Sequence, residues 1–215
     1  MENGQSYIPA LYFHFLTPLY DTAMKYVMRE QYYKNELCRI IPFSSKKILD
    51  AGCGTGTLTA LMKHSHTDAD IHGIDIDEKI LQIAQNKFQH QSLKVTLHQG
   101  SILQLPFESN SFDAAFSCLV LHHLTTQNKL KAIQEMFRVL TPGGKFAIAD
   151  FSLPHNISMR AVTLVVQYLE ETYDNFQGRL LEFIPQAGFS HLSVDGTFWT
   201  PMGTVSIMTA IKPID

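Results

Sequence analysis

The stretch LDAGCGTGTLT, residues 49–59, constrains this chain more tightly than any other. Gly52, Gly54 and Gly56 alternate directly after an apolar run, KKILDAG (46–52), and directly before Thr57–His64, whose spacing is helical. Glycine allows backbone angles that other residues avoid and lets the main chain approach another molecule closely. The helix that follows offers unpaired N–H groups and the positive end of its dipole. A strand, a glycine turn and a helix in that order belong to a sheet whose strand ends face a crevice.

The alternation continues along the chain. DIHGID (70–75), LKVTLHQ (93–99), FDAAFSCL (112–119) and GKFAIAD (144–150) read as further buried strands. Between them lie Glu78–Gln89, with a stripe of Ile80, Leu81, Ile83, Ala84 and Phe88, and Gln127–Leu140, with Leu130, Ile133, Phe137 and Leu140 facing inward. Asp21–Ile41 and Arg179–Ala187 are also expected to be helical. SHLSVDGTFW (190–199) and GTVSIMTAIK (203–212) are joined by a short turn, so they should pair antiparallel. The expected fold is α/β: a doubly wound, seven-stranded, mostly parallel Rossmann-like sheet finished by a C-terminal antiparallel hairpin. We expect residues 1–42 to form a helical cap and 43–215 the main domain, with 151–176 as a lid.

Composition narrows the function classes. A net charge of −3 and a pI near 6.3 argue against a nucleic-acid partner. Cys38, Cys53 and Cys118 are widely separated, which fits neither a disulfide framework nor a zinc site and suits a reduced cytoplasmic setting. MENGQSYIPALYF lacks the basic and apolar regions of a signal peptide, and the apolar stretch Ala161–Val166 is too short to span a bilayer.

The glycine spacing is GxGxG, whereas dinucleotide enzymes use GxGxxG. Asp50 precedes the glycines at the strand end. A carboxylate there would repel a pyrophosphate and attract an ammonium or a sulfonium. S-adenosylmethionine carries both cations, and a carboxylate for the helix end. A turn that binds nothing is the competing reading. Asp75 counts against it, standing about 20 residues beyond the loop where a ribose-binding carboxylate belongs. Asp77 is free to cap the next helix. Gly100-Ser101-Ile102 follows the third strand and can meet an adenine edge. Thr-Pro-Gly-Gly in LTPGGK (140–145) reads as a tight structural turn.

The motifs ILDAGCGTG, GIDID, LPFESNSFD, HHL and RVLTPGGK, together spanning about residues 46–150, resemble those of class I S-adenosylmethionine-dependent methyltransferases. They are most similar to the branch that includes the ubiquinone and menaquinone C-methyltransferases. LTPLYD (16–21) and GTVSIMTAIKP resemble that branch too. The resemblance implies that Asp50, Gly52, Gly54, Thr55 and Gly56 hold the methionine end of the cofactor. It implies that Asp75 binds the ribose hydroxyls, that Ile76 packs on the adenine and that Tyr20 touches the cofactor. Family members usually carry Asp where Ser101 stands.

Methyl transfer is an in-line displacement at an activated methyl group. Proximity and orientation contribute up to roughly 7–11 kcal/mol, and a general base adds about 10²–10⁴-fold only where the acceptor is protonated. The segment Cys118–His123 should lie beside the methyl group. Either His122 or His123 can serve as a base, or both can pack or cap the following helix. Cys118 is placed against the cofactor as a small packing residue, and no metal is expected. The run His64, His66, Asp68, Asp70 and His72 reads as a solvated connection at the far end of the sheet. Aromatic residues near the N-terminus and the apolar 151–176 stretch are candidates for a lid over a small, fairly apolar acceptor, or for core or dimer packing. The competing functions are a nicotinamide-dependent oxidoreductase and a non-catalytic module that binds S-adenosylmethionine.

Overall fold

A computed structural model describes residues 30–154, 159–160, 163 and 172–214. Tyr20, most of the expected cap and most of the expected lid lie outside these residues. Seven strands form one sheet in the order β3-β2-β1-β4-β5-β7-β6. They are β1 Lys47–Ala51, β2 Asp70–Asp75, β3 Thr96–Gln99, β4 Phe112–Cys118, β5 Leu140–Phe151, β6 Ser190–Thr200 and β7 Gly203–Ile211. Strands β1 to β5 pair in parallel. β7 inserts antiparallel between β5 and β6, as two strands joined by so short a turn must. The order reverses at β1 and β4, so the crevice opens between the carboxyl ends of those strands.

Both faces of the sheet are covered, which is why its strands read as nearly continuous apolar runs. On one face, α1 (Glu30–Ile40) and α2 (Thr57–Ser65) bury Tyr33, Leu37, Leu58 and Met62 over Ile48, Ala114 and Phe116. α3 (Glu78–His90) adds Ala84 and Phe88 against Ala60 of α2. Its N-cap is Asp77, whose carboxylate accepts from the N–H groups of Lys79 and Ile80, leaving Asp75 for other work. On the other face lie α4 (Thr126–Val139) and α6 (Leu180–Gln186), over a core that includes Leu49, Ile74, Phe146 and Ile148; the short α5 (Tyr173–Phe176) sets Phe176 beside Phe151 in the first core.

Several boundaries differ from the sequence reading. β3 begins at Thr96 rather than Leu93, because Leu93 and Val95 pack under α3 before the strand pairs with β2. β5 begins at Leu140, and the Thr-Pro-Gly-Gly segment is an irregularity inside it, with Gly143 at φ 78°. The buried line of α4 is Lys129, Ala132, Ile133, Met136 and Val139; Leu130 and Phe137 pack at its margin. Lys129 can sit inside because its Nζ donates to the Leu124 carbonyl at 2.6 Å. Among the described residues, no helix is long and apolar enough to cross a membrane.

Candidate active site

The glycine loop is stitched to the neighbouring strand: the N–H groups of Gly52 and Cys53 both donate to the Ile74 carbonyl, at 2.8 and 2.9 Å. All three loop glycines have positive φ, at 81°, 53° and 73°. Their surroundings differ. A Cβ on Gly52 would stand 2.5 Å from Val120, and one on Gly56 would stand 2.5 Å from Phe88. Among the described residues, a Cβ on Gly54 would meet nothing within 4 Å. Two of the glycines therefore permit close packing, and the middle one faces open space.

Asp75 forms the wall of that space. Its Oδ2 accepts from the Gly54 N–H at 2.9 Å and its Oδ1 from the Asp77 N–H at 3.0 Å. Burial pushes its carboxyl above the usual range, against the pull of those bonds. The next residue, Ile76, leaves 38% of its surface exposed, an apolar side chain at the rim. Past the end of β3, Ser101 Oγ accepts from the Leu103 N–H at 3.2 Å and Ile102 is buried. Asp50 points elsewhere. It is buried beneath the loop and accepts the Thr59 hydroxyl at 2.6 Å. Burial pushes its carboxyl up to about 7. At the start of α2, Thr55 and Thr57 lie side by side, and Lys87 Nζ donates to Thr57 Oγ1 at 2.7 Å. That ammonium adds positive charge beside a helix N-terminus, where an anion is already favoured.

The other wall comes from the ends of β4 and β5. Cys118 is half-buried, and burial pushes its thiol up, as it does that of Cys53. Neither is a ready nucleophile. His122 and His123 sit in a 3₁₀ turn, with ring centroids 4.0 Å apart. His122 Nδ1 lies 2.9 Å from Asp150 Oδ1. The same carboxylate accepts from the N–H groups of Val120, Leu121 and Phe151 and from Asn175 Nδ2. Burial alone would raise Asp150, but the charge and hydrogen bond of His122 outweigh it and hold the carboxyl below its usual range. Burial drives His123 the other way for a base, down to about 3.

The histidine-rich run disperses. His64 reaches Gln91, His66 is buried against the Ile41 carbonyl, and His72 bonds His98 and Asp70. Among the described residues, no group of three or more His, Cys, Asp or Glu is placed to hold a metal ion.

At or just past the carboxyl ends of the parallel strands stand Asp50 and Gly54 after β1, Asp75 and Ile76 after β2, Ser101 and Ile102 after β3, and Cys118 and His122 after β4. Sequence reasoning missed Asp150, Asn175 and Lys87. Asp150 carried a usable signal: it ends β5 as Asp50 and Asp75 end β1 and β2.

A methyltransferase domain model matches residues 48–144. A demethylmenaquinone methyltransferase of Lactiplantibacillus plantarum is 28% identical over 207 residues, covering 84% of this chain and 86% of its own. One from Listeria monocytogenes serotype 4b is 27% identical over 206 residues, with the same two coverages. Among solved structures, the YcgJ protein of Bacillus subtilis superposes with a TM-score of 0.69 at 15% identity, over 86% of this chain and 100% of that one, a likeness of fold.

Proposed function

Because this chain is a class I S-adenosylmethionine-dependent methyltransferase, we propose that it methylates a small, largely apolar acceptor of quinol or phenol type. Membership of that family sets aside the nicotinamide-dependent and the non-catalytic readings. The acceptor class is supported by the relatives named for demethylmenaquinone. The half-exposed Leu153, just past the end of β5, adds apolar surface on that side.

The open space at Gly54 beside the Asp75 carboxylate is the observation that carries this reading. The residues present suit the cofactor. The N–H groups at the start of α2, with Lys87 near them, favour its carboxylate. Asp50, beneath the loop, favours its cationic groups through its charge rather than by contact. Each Asp75 oxygen already accepts one backbone N–H and keeps capacity for a ribose hydroxyl. Ile76 and Ile102 offer apolar surface to the adenine, and Ser101 a hydroxyl at its edge. Cys118 packs against the cofactor's methionine end.

When bound, S-adenosylmethionine supplies an electrophilic methyl group on a sulfonium. The protein's work is to hold the acceptor in line, exclude water and take a proton. With Nδ1–H donated to Asp150, His122 carries its lone pair on Nε2 and can accept a hydroxyl proton from the acceptor. The buried negative charge of Asp150 then stabilises the imidazolium. His123 is too weak a base for that step.

Calorimetric titration with S-adenosylhomocysteine and, separately, NAD tests the cofactor assignment. Binding of the first and silence with the second are expected, and the reverse would overturn it. A radiolabelled methyl-transfer assay over a panel of quinols, phenols and polar amines tests the acceptor. Turnover confined to the polar amines would overturn that part.

A further inference from the structure

A cavity of about 240 Å³ lies between the C-terminal hairpin and the helices α5 and α6. Leu153, Leu181, Val194 and Met208 supply apolar wall. Among the described residues, none that line it is charged, and none belongs to the glycine loop or its carboxylates. Three of its hydroxyls satisfy one another: Ser152 Oγ is 2.7 Å from Ser206 Oγ, which is 3.2 Å from Thr197 Oγ1.

Asn175 also lines this cavity and is fully buried. Its Nδ2 donates to Asp150 Oδ1 at 3.1 Å. Among the described residues, its Oδ1 has no hydrogen-bond partner. A buried acceptor left unsatisfied costs about 1–3 kcal/mol, and folded proteins rarely keep one.

We propose that this cavity is a ligand site for a neutral, largely apolar molecule that donates one O–H or N–H to Asn175 Oδ1. The uncharged lining selects against ions, since an unpaired charge there would be expensive to desolvate. The lone oxygen acceptor selects for a donor, and the hydroxyl chain beside it is already satisfied. The volume is below the roughly 300–1,000 Å³ of drug-sized pockets, so one or two fused rings are the natural size. Asn175 and His122 share the Asp150 carboxylate. A ligand that donates to Asn175 polarises the amide and strengthens its bond to that carboxylate. The site is thereby linked to the loop bearing His122, and the assignment stands whatever the methyl acceptor is.

Calorimetry with 1-naphthol and with 1-methoxynaphthalene, which has the same rings without the donor, tests this, with and without S-adenosylhomocysteine. The cavity site should bind 1-naphthol with one-to-one stoichiometry and the methoxy compound at least about tenfold more weakly. Val194→Phe, at the partly exposed wall, should weaken 1-naphthol by about tenfold or more while the melting temperature holds. Asn175→Leu should abolish the preference for the hydroxyl. Equal affinity for the two probes, or 1-naphthol binding unchanged in Val194→Phe, would overturn the proposal. Should Asn175→Leu not fold, the probe pair and Val194→Phe still decide. Silence with S-adenosylhomocysteine would count against the cofactor assignment alone, and naphthol binding at the cavity is told from binding at the methyl-acceptor site by its loss in Val194→Phe.

Discussion

His122 and Asp150 meet inside the protein, Nδ1 to Oδ1 at 2.9 Å, with both side chains buried. Three backbone N–H groups and the Asn175 amide converge on the same carboxylate. One side chain at the end of β5 therefore fixes the backbone after β4, the tautomer of His122 and the position of α5. The His123 ring lies against that of His122, tilted by 44° with centroids 4.0 Å apart.

This asymmetry predicts unequal effects of substitution. His122→Asn should lower kcat by about 10²–10⁴-fold while leaving S-adenosylhomocysteine affinity nearly unchanged. His123→Asn should cost much less. Asp150→Asn turns an amide donor toward backbone donors or toward His122, so it should lose about 1–3 kcal/mol in urea unfolding as well as rate. Steady-state kinetics of both histidine variants decide the matter. Full turnover in the doubly substituted protein would remove the base from the mechanism.

Asp50 predicts a pH effect of definite sign. Burial pushes its folded-state ionisation up to about 7, whereas the unfolded chain ionises near 4. Between those values the folded protein holds a proton that the unfolded chain has released, so this group makes stability fall as pH rises from about 4 to about 7. Beyond that its effect is level. Asp50→Asn keeps an acceptor for the Thr59 hydroxyl and removes the penalty. It should match the parent at pH 4 and exceed it by up to about 4 kcal/mol at pH 8 in urea unfolding. Cationic cofactor bound near Asp50 would favour its ionised form. Binding of S-adenosylhomocysteine at pH 7 should then release on the order of half a proton, seen as a difference between buffers in calorimetry, and none in the variant.

The loop glycines separate folding from binding. Gly54→Ala meets no neighbour, so its cost is the left-handed backbone alone, about 1–2 kcal/mol. The added methyl occupies the open space beside Asp75, and affinity for S-adenosylhomocysteine should fall about tenfold or more. Gly52→Ala drives a methyl into Val120 and should unfold the loop before binding can be measured. A Gly54→Ala protein that melts normally and binds normally would show that the ligand does not approach that backbone.

The strand positions were legible because a sheet covered on both faces writes itself as short apolar runs punctuated by turns. Asp75 and the glycine loop were legible because local spacing places them. The face of α4 was not, since Leu130 and Phe137 are as apolar as the residues that won the interior, and Lys129 is admitted by partners distant in sequence or outside the helix, the Leu124 carbonyl and the Asp174 carboxylate. Asp150 and His122 stand 28 residues apart, and Asn175 lies 25 beyond Asp150, so that cluster exists only once β4, β5 and α5 have packed. Nor does GxGxG reveal which glycine opens to a ligand and which two make room for Val120 and Phe88.

Gly56 and Phe88 provide the sharpest test of the packing account. Phe88 is 1% exposed and its ring edge fills the place a Gly56 side chain would take, 2.5 Å from the ideal Cβ. Gly56→Ala therefore suffers twice, from φ 73° and from overpacking, together about 2–5 kcal/mol. Phe88→Leu alone loses ring contacts with Ala60 and Ala84. In the double variant the smaller side chain makes room for the methyl, so the steric part should be recovered while the backbone part persists. Urea unfolding of the four proteins should give a coupling of about 0.5–3 kcal/mol in the favourable sense. Additivity within about 0.5 kcal/mol would mean that the ring does not press on Gly56, and that backbone angle alone demands glycine at this position.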